Sequence, residues 1–533
     1  MNINISERCQ KVWQCLCGQA KKSIRDIADS TGIPKSSVHR HKKAIEARQK
    51  HRESYLWETE EGGEWLRLLV FGVIYCFGIK KGIGADSLSD FFHLLRLEER
   101  IGCSASTLRE LEVQIKEKII AYGRVQKESC QREQPIGICV GADETFYGLP
   151  ILVAIELGSG FIFSEAKCEN RTYETWWEQV SNWFNREQWD CRALVSDGAK
   201  ALVKLAISGF GCESVPDVFH LLYGLSKSMG TALARQRIQL QKQQQNVQER
   251  RSTTPPQTHA ALIAQNEDLR NQQQTLDSDH QDYLQSLHAL SQTIHPFNLH
   301  TGESQLGLDL LTQLQTPLAT LARLSQIYAP KQSQAALSLW QRQLPPLARA
   351  IHGWWLWVIE SLSPLTQDPD VQQWVLTSLL PWVYWHQQTQ KTRQPQLKQA
   401  YQQATQQAHE RFLVAPFTQS LSSEQQQPLL DWAIWICSKF QRTSSAVEGH
   451  NGYLSALHHA NRGFTEQTLT VLTIIHNFDL QRHDGTTAAQ RLFGKPFPNL
   501  FASILLTMGE LPRPRHSRKP RKSKTITLTT VPS

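Results

Sequence analysis

The sequence is short of paired cysteines and of long apolar runs. Its 11 cysteines are scattered, and Cys9, Cys15 and Cys17 have no second pair nearby to complete a zinc site. We therefore expect reduced, mostly buried thiols rather than a secreted disulfide framework. We find no run of about 18 apolar residues to span a bilayer and no signal sequence at the start. These absences predict a cytoplasmic protein without a membrane partner.

Basic residues are concentrated at the two ends of the chain. The 533 residues carry a formal net charge of +8. Residues 21–52 hold ten Lys or Arg against three acids, and residues 512–524 hold seven with no acid. Basic ends on a mildly acidic body are typical of proteins that bind nucleic acid, so DNA is the expected partner. The length predicts about three or four domains.

The first basic region, residues 1–52, has the pattern of a helix-turn-helix DNA-binding domain. A helix over 23–28 ends at the turn 30–33, and a second helix begins at Pro34. In such a domain the early residues of the second helix meet base edges in the major groove. The candidate DNA-binding residues are Lys35, Ser36, Ser37, His39, Arg40, Lys42 and Lys43. A plain helical hairpin with a solvated basic face is the alternative.

Residues 53–130 are predicted to be helical. The stretch 65–77 is apolar nearly all round, which indicates a buried helix. Helices over 87–97 and 104–120 have the spacing of a second helix-turn-helix around Gly102. The charge of this module is mixed, so a packing role is as well supported as DNA binding.

Residues 131–229 alternate between apolar runs and helical patterns. The apolar runs predict five strands, at 136–142, 149–156, 161–167, 191–196 and 214–218. Helices are predicted over 172–188 and 199–208, and another near His220. Three strands followed by helix, strand, helix, strand and helix is the order of a ribonuclease-H-like α/β domain. Asp143 and Asp197 follow the first and fourth strands, at the strand ends where open α/β sheets place their ligand sites.

Two further motifs contain titratable side chains. The fifth predicted strand is followed by Asp217-Val-Phe-His220. Far downstream, the segment Thr-Ser-Ser-Ala-Val-Glu448-Gly-His-Asn451 begins a helix on which Glu448 and Asn451 share a face. Residues 441–495 are therefore predicted to return to the α/β core and supply its last helices.

Together these motifs resemble the DDE-type transposases of bacterial insertion sequences, in the broad Mutator-like group. Asp143 matches the first catalytic Asp of that family, Asp197 the second, and Asp217-Val-Phe-His220 the motif that follows. Glu448 matches the last acid, in a segment where Ser445 stands in place of the family's usual Asn. The resemblance implies a ribonuclease-H-like catalytic domain that cleaves and joins DNA.

Three carboxylates suit metal-dependent phosphodiester chemistry. Two Mg²⁺ ions about 3.5–4 Å apart can hold both the attacking and the leaving oxygen of an in-line displacement. Mg²⁺ prefers hard oxygen ligands. We therefore expect Asp143, Asp197 and Glu448 to hold two Mg²⁺ ions, with Mn²⁺ as the alternative ion. His220 is expected to act in the catalytic site by hydrogen bonding rather than as a metal ligand.

Each acid also has a purely structural interpretation. Glu448 lies near a helix start, where a carboxylate complements the helix dipole. Asp143 and Asp197 are in positions where Asp often stabilises a turn or caps a helix, and His220 could cap its helix. Glu144 is the nearest rival for the third acid, although neighbouring strand residues point to opposite faces.

Residues 230–440 are predicted to form a large, all-helical insertion. Its Gln-rich first part, broken at Pro255 and Pro256, suits an antiparallel hairpin or a dimer coil, with disorder as the alternative. Most tryptophans of the second part should be core residues, and stacking on an unpaired base is the other role considered. The basic segment 496–533 is predicted to be a disordered tail that contacts phosphates.

The sequence thus predicts a multidomain protein with α/β and all-α parts that acts as a DNA transposase. It would bind the ends of its mobile element as a homodimer or larger assembly, in the cytoplasm and associated with the nucleoid. One alternative is a catalytically inactive, transposase-derived DNA-binding protein. The other is a metal-dependent nuclease without strand transfer.

Overall fold

The computed structural model describes most of the chain as two compact units. It describes residues 5–18, 22–49, 51–130, 134–181, 183–184, 188–329, 331–460 and 463–514. The first unit combines residues 1–129, 456–480 and 496–533, and the second combines residues 130–455 and 481–495. The chain is mostly helical, with one mixed five-stranded sheet in the second unit.

Helices form the first unit. In its first 129 residues they are α1 (Ile5–Cys17), α2 (Ile24–Thr31), α3 (Lys35–Arg48), α4 (Glu60–Val73), α5 (Ala85–Leu94) and α6 (Ala105–Ser129). Ser23 caps α2 through a capping box, and Gly32 ends it with φ +69°, a conformation that glycine adopts without strain. α1, α2 and α3 share a core of Val12, Ile27, Ala28, Ile33, Val38 and Ile45. The two helices and the glycine turn predicted from the sequence are therefore present.

One helical stretch of this unit is unusually apolar. Among the described residues, Glu60–Ile79 is the stretch long and apolar enough to cross a membrane, and 44% of its most apolar window is buried inside the structure. Val70 is fully buried, but Trp65, Leu68 and Phe77 are about half exposed. The prediction that this helix is buried on all sides is therefore wrong for the face that carries Trp65, Leu68 and Phe77.

The sheet consists of β1 (Ile136–Tyr147), β2 (Leu149–Glu156), β3 (Phe161–Lys167), β4 (Trp189–Ser196) and β5 (Glu213–Pro216). The strand order is β3-β2-β1-β4-β5. β1 pairs in antiparallel fashion with β2, and β2 with β3, whereas β4 runs parallel to both β1 and β5. The five predicted strands are all present.

β1 is longer than predicted. Its apolar part ends at Ala142, but the strand continues to Tyr147, where a turn at Gly148 leads into β2. Asp143 is therefore inside the strand and faces Val153 of β2, rather than at the strand tip. It does lie beyond the parallel pairing with β4, which ends at Gly141.

Three helices follow the strands: α7 (Tyr173–Ser181), α8 (Lys200–Lys204) and α9 (Val218–Leu225). The helix predicted over 172–188 ends at Ser181, and residues 182 and 185–187 lie outside the described residues. α8 continues as a π-helical segment, Leu205–Phe210. α9 continues through another, Ser226–Gly230, into the insertion.

The described residues of the predicted insertion are mostly helical, apart from connecting loops such as 294–306, where Phe297 pairs with Ser304 in an isolated β-bridge. Its helices are α10 (Thr231–Thr253), α11 (His259–Thr293), α12 (Gly307–Tyr328), α13 (Gln332–Leu362), α14 (Pro369–Trp374), α15 (Leu380–Lys391), α16 (Pro395–Val414), α17 (Pro416–Ser420) and α18 (Ser423–Lys439). α10 and α11 form an antiparallel hairpin around the predicted proline break. Their buried residues recur every seven positions, at Leu233, Leu240 and Val247 and at Leu262, Leu269, Leu276, Tyr283 and Leu290. Because these residues supply an apolar seam, the Gln-rich tract is ordered.

Tryptophans dominate the core of the insertion, as predicted. Six of them are buried: Trp354, Trp355, Trp357, Trp374, Trp385 and Trp432. Two more, Trp382 and Trp435, are partly buried and pack against this core. Several indole N–H groups donate to buried carbonyls, as Trp354 does to Ile436 over 3.1 Å. These rings gain apolar burial while their indole N–H groups stay paired, whereas the buried Nε1 of Trp385 has no hydrogen-bond partner among the described residues.

The last helices are α19 (Ser445–His459), α20 (Glu466–Phe478), α21 (Ala488–Phe493) and α22 (Leu500–Thr507). α20 and α22 pack on α6 in the first unit. The predicted disorder after Pro496 does not hold for α22, because Leu500 and Ile504 are buried. Residues 515–533 of the predicted tail lie outside the described residues.

Candidate active site

The first two predicted acids occupy equivalent places on neighbouring strands. The last parallel pair of β1 and β4 is Gly141 with Val195. Asp143 and Asp197 each lie two residues beyond that pair. In a parallel sheet such positions are neighbours at the same end of the strands. The Asp197 carboxylate is exposed and accepts a hydrogen bond from the amide of Ala199 over 2.8 Å, as in an Asx-turn.

α19 brings the third acid to this end of the sheet. Asn451 donates from Nδ2 to Oδ2 of Asp143 over 3.2 Å. Val447 is so close to Gly141 that a Cβ there would lie 3.0 Å from a methyl group of Val447. His450 contacts Glu165 of β3 over 2.9 Å. α19 is therefore fixed against β1 and β3, and it carries Glu448 in its first turn.

Asp217, which precedes α9, holds the start of α19. This carboxylate is buried, and its Oδ1 accepts from the amides of Phe219 and His220 over 2.7 and 3.4 Å. Its Oδ2 accepts from the Ser444 amide over 2.9 Å and from the Ser444 hydroxyl. Burial raises the pKa of Asp217, but the contacts with His220 and Ser444 outweigh that effect and hold it below its usual value.

His220 lies between two carboxylates. Its Nδ1 is 3.3 Å from Oδ2 of Asp217, with which it forms an ion pair. Its Nε2 is 3.5 Å from Oε1 of Glu448. The contact with Asp217 raises the pKa of His220 to about 9 although partial burial opposes it, and Glu448 and Asp143 add to the increase. His220 is therefore a cation at neutral pH.

Asp143 is partly buried among other acids. Burial is the main reason that the pKa of its carboxyl is raised to about 7. The carboxylates of Glu144 and Glu448 add to the increase, whereas a backbone hydrogen bond and His220 oppose it. A cation bound at this place would favour the ionised form of Asp143.

Glu144, the rival third acid, already has a partner. Its side chain is only 4% exposed and forms an ion pair with Arg171. That contact raises the pKa of Arg171, and Asp197 and Asp143 contribute to the increase. Arg171 is therefore close enough to interact electrostatically with Glu144, Asp143 and Asp197.

The ligand types in the site suit Mg²⁺, but the carboxylates are too far apart in this structure to bind one ion together. Asp143, Asp197 and Glu448 offer hard carboxylate oxygens. Within the part of the chain that the structure describes, no three His, Cys, Asp or Glu side chains are grouped closely enough to hold a metal ion. Asp197 is exposed and the Glu448 side chain is 38% exposed, so both can change rotamer towards the partly buried Asp143.

The predicted DNA-binding residues all lie on α3 in the first unit. Lys35, Ser36, His39, Arg40 and Lys43 are exposed, and Ser37 and Lys42 are partly exposed. Arg40 donates to the Ser37 hydroxyl over 3.3 Å. Lys42 is 3.9 Å from Glu46 in a weak surface ion pair. The apolar face of α3 is buried, so its polar face is available to a partner.

Sequence reasoning did not assign four residues of this site. Asp217, Ser444 and Asn451 orient the predicted side chains, and Arg171 pairs with Glu144. Asp217 and Asn451 belong to the two motifs described above, which was a usable signal. Ser444 lies in the segment that carries Glu448, but nothing in that pattern predicted its contact with Asp217. Arg171 lies in no pattern that would have singled it out.

Comparison with known proteins gives little functional information. The profile of a family of unknown function (DUF6399) matches residues 375–520. This part of the chain contains Glu448 and Asn451 but not Asp143, Asp197 or His220. No curated protein matches the chain. The resemblance to DDE-type transposases therefore depends on the motifs alone.

Proposed function

We propose that the protein is a DDE-type DNA transposase that binds the ends of its mobile element and catalyses metal-dependent strand cleavage and strand transfer. The observation that supports this most directly is the hydrogen bond between Asp143 and Asn451. It joins the strand that bears the first acid to the helix that bears Glu448. The order of strands and helices around it is that of a ribonuclease-H-like domain.

Asp143, Asp197 and Glu448 are the residues that would hold Mg²⁺ or Mn²⁺. When bound, two such ions would supply an activated nucleophile and would stabilise the leaving oxygen. Asn451 orients Asp143, and the cationic His220 orients Glu448. Water first hydrolyses a strand at the end of the element, and the freed 3′-hydroxyl then attacks the target DNA.

The polar face of α3 would select the element's ends by base contacts. Two ends must be brought together, so the protein acts as a homodimer or larger assembly on DNA. Such a protein works in the cytoplasm, associated with the nucleoid. The basic chain ends are consistent with this role, since Lys and Arg that neutralise phosphates supply sequence-independent affinity.

The test is strand cleavage and joining, with Mg²⁺, on DNA that carries the regions flanking the coding sequence. We expect Asp143→Ala, Asp197→Ala and Glu448→Ala each to abolish both reactions while DNA binding is retained. Glu213→Ala is the matched control. Glu213 lies at the far end of β5, where it makes only an exposed ion pair with Arg349 at 3.3 Å.

Other outcomes identify the alternatives. A wild type that binds the ends without cleaving them would indicate a transposase-derived DNA-binding protein. Cleavage without joining would indicate a nuclease. An active Glu448→Ala variant would remove Glu448 from the catalytic set and leave Glu144 as the candidate.

A further inference from the structure

Two large aromatic side chains beside the candidate site are exposed. Phe219 and Tyr223, one turn apart on α9, are 52% and 54% exposed. Their ring planes differ by 17° and their centroids are 6.3 Å apart. Exposed apolar side chains that are grouped together indicate a binding surface more often than those scattered singly. The parallel rings offer flat faces to a planar ligand.

A cation extends this aromatic surface. The Lys227 ammonium lies 5.9 Å from the centre of the Tyr223 ring. Phe219 and Tyr223 on α9 and Lys227 on the π-helical segment that continues it follow one another at four-residue intervals, so they form a stripe of roughly 12 Å. The stripe begins next to His220, whose ring is 6.0 Å from that of Phe219 and which contacts Glu448. It therefore leads from the carboxylates outward.

A second pair of the same kind lies on the β1 side. Phe146, three residues beyond Asp143, is 57% exposed. The Arg171 guanidinium lies 5.4 Å from the centre of its ring. An exposed ring with an adjacent cation therefore occurs on two elements that both carry residues of the site.

We propose that the DNA strand at the candidate site is unpaired next to the scissile phosphate, and that its bases stack on Phe219 and Tyr223. Lys227 contacts the backbone of the same strand. Aromatic rings accept any base, because every base has a π face, and a neighbouring cation attracts the phosphates. Paired bases stacked within a duplex do not present these faces. This inference rests on the proposed function, since it takes DNA as the substrate.

The test compares two single-stranded DNAs of about 12 nucleotides, one intact and one with abasic sites at its centre. Binding is measured by fluorescence anisotropy in EDTA, so the result does not depend on cleavage. We expect the wild type to bind the intact strand about tenfold more tightly than the abasic strand, the effect of one or two stacked bases. The double variant Phe219→Ala with Tyr223→Ala should lose this difference.

Two matched variants separate ring stacking from general effects. Phe219→Tyr with Tyr223→Phe keeps both rings and should keep the preference for the intact strand. Leu356→Ala removes an apolar side chain that is 55% exposed on α13, and it should also keep the preference. Leu356 adjoins Trp357, which packs against Gly137 near the beginning of β1, away from the site.

Each result decides between the two proposals. If the alanine double variant retains the preference for bases, or if the wild type shows none, the stacking proposal is overturned. If the wild type shows the preference but cleaves no DNA with Mg²⁺, base stacking on the two rings stands, whereas the transposase proposal and the placement of the stacked bases next to a scissile phosphate both fail. If the wild type cleaves and joins DNA without any preference for the intact strand, the transposase proposal stands and the stacking proposal fails. A wild type that binds neither strand also overturns stacking.

Discussion

Replacing Asp217 with Asn tests whether this buried carboxylate fixes the site. Both carboxylate oxygens accept hydrogen bonds from backbone amides, Oδ1 from Phe219 and His220 and Oδ2 from Ser444. Asn has nearly the same shape, but one of its two polar atoms is a donor. Whichever way the amide turns, at least one backbone N–H faces another donor.

The size of the effect follows from these contacts. Hydrogen bonds to a charged acceptor contribute about 1.5–3 kcal/mol each, and a buried amide left unpaired costs about 1–3 kcal/mol. We therefore expect Asp217→Asn to lower the free energy of unfolding of the second unit by about 3–5 kcal/mol. Urea unfolding followed by tryptophan fluorescence measures this change. Asp277→Asn, at an acid that is half exposed, is the control and should change stability by less than about 1 kcal/mol.

The same variant has a pH signature. The pKa of His220 is raised to about 9 in the folded protein, so its stabilising contribution is complete below about pH 6.5 and is lost as the pH rises through 9. The side chain is 36% exposed, and we therefore expect this contribution to be only about 1–2 kcal/mol. Asp217→Asn should reduce it, so the two proteins should differ less at pH 9.5 than at pH 6. Equal stability at pH 6, or a difference independent of pH, would refute the reasoning.

Two further predictions concern other parts of the molecule. Lys439→Met removes the ammonium 2.9 Å from the fully buried Glu156 carboxylate and leaves it only the two hydrogen bonds from Ser159, so it should cost about 3–5 kcal/mol in urea unfolding. Adding Glu156→Gln should recover much of this loss, and a double variant as unstable as Lys439→Met would contradict the explanation. Arg40→Ala, on the exposed face of α3, should weaken binding to the element's ends by about 1–3 kcal/mol and relax sequence preference in a gel-shift assay. Unchanged affinity and preference would count against base contact by Arg40.

The strands could be predicted from the sequence because a buried strand leaves a local trace, a run of apolar residues. The second half of β1 leaves none. Residues from Glu144 to Tyr147 are mostly polar or exposed, and they are held by pairing with β2 across the turn at Gly148. This pairing depends on a partner strand rather than on the hydrophobicity of these residues. The strand predicted from the apolar run therefore ends at residue 142, five residues before the end of β1.

The candidate site divides in a similar way. Its acids and His220 belong to short motifs, which made them predictable. The residues that orient them act over long separations: Asn451 is 308 residues from Asp143, and Ser444 is 227 residues from Asp217. No local pattern encodes such contacts. α22 shows the opposite error, since the basic and proline-rich composition of the chain end obscured a short apolar helix that packs on α6.

The helical insertion begins and ends at one place. The amide of Val218 donates to the carbonyl of Arg442 over 3.0 Å, beside the contact between Asp217 and Ser444. The entropy of closing a loop grows only with the logarithm of its length, by about 0.6 kcal/mol per doubling. Once its two ends are joined, the insertion can lengthen or shorten during evolution at little entropic cost. The distance in space between His220 and Glu448 can therefore stay the same while the insertion changes in length.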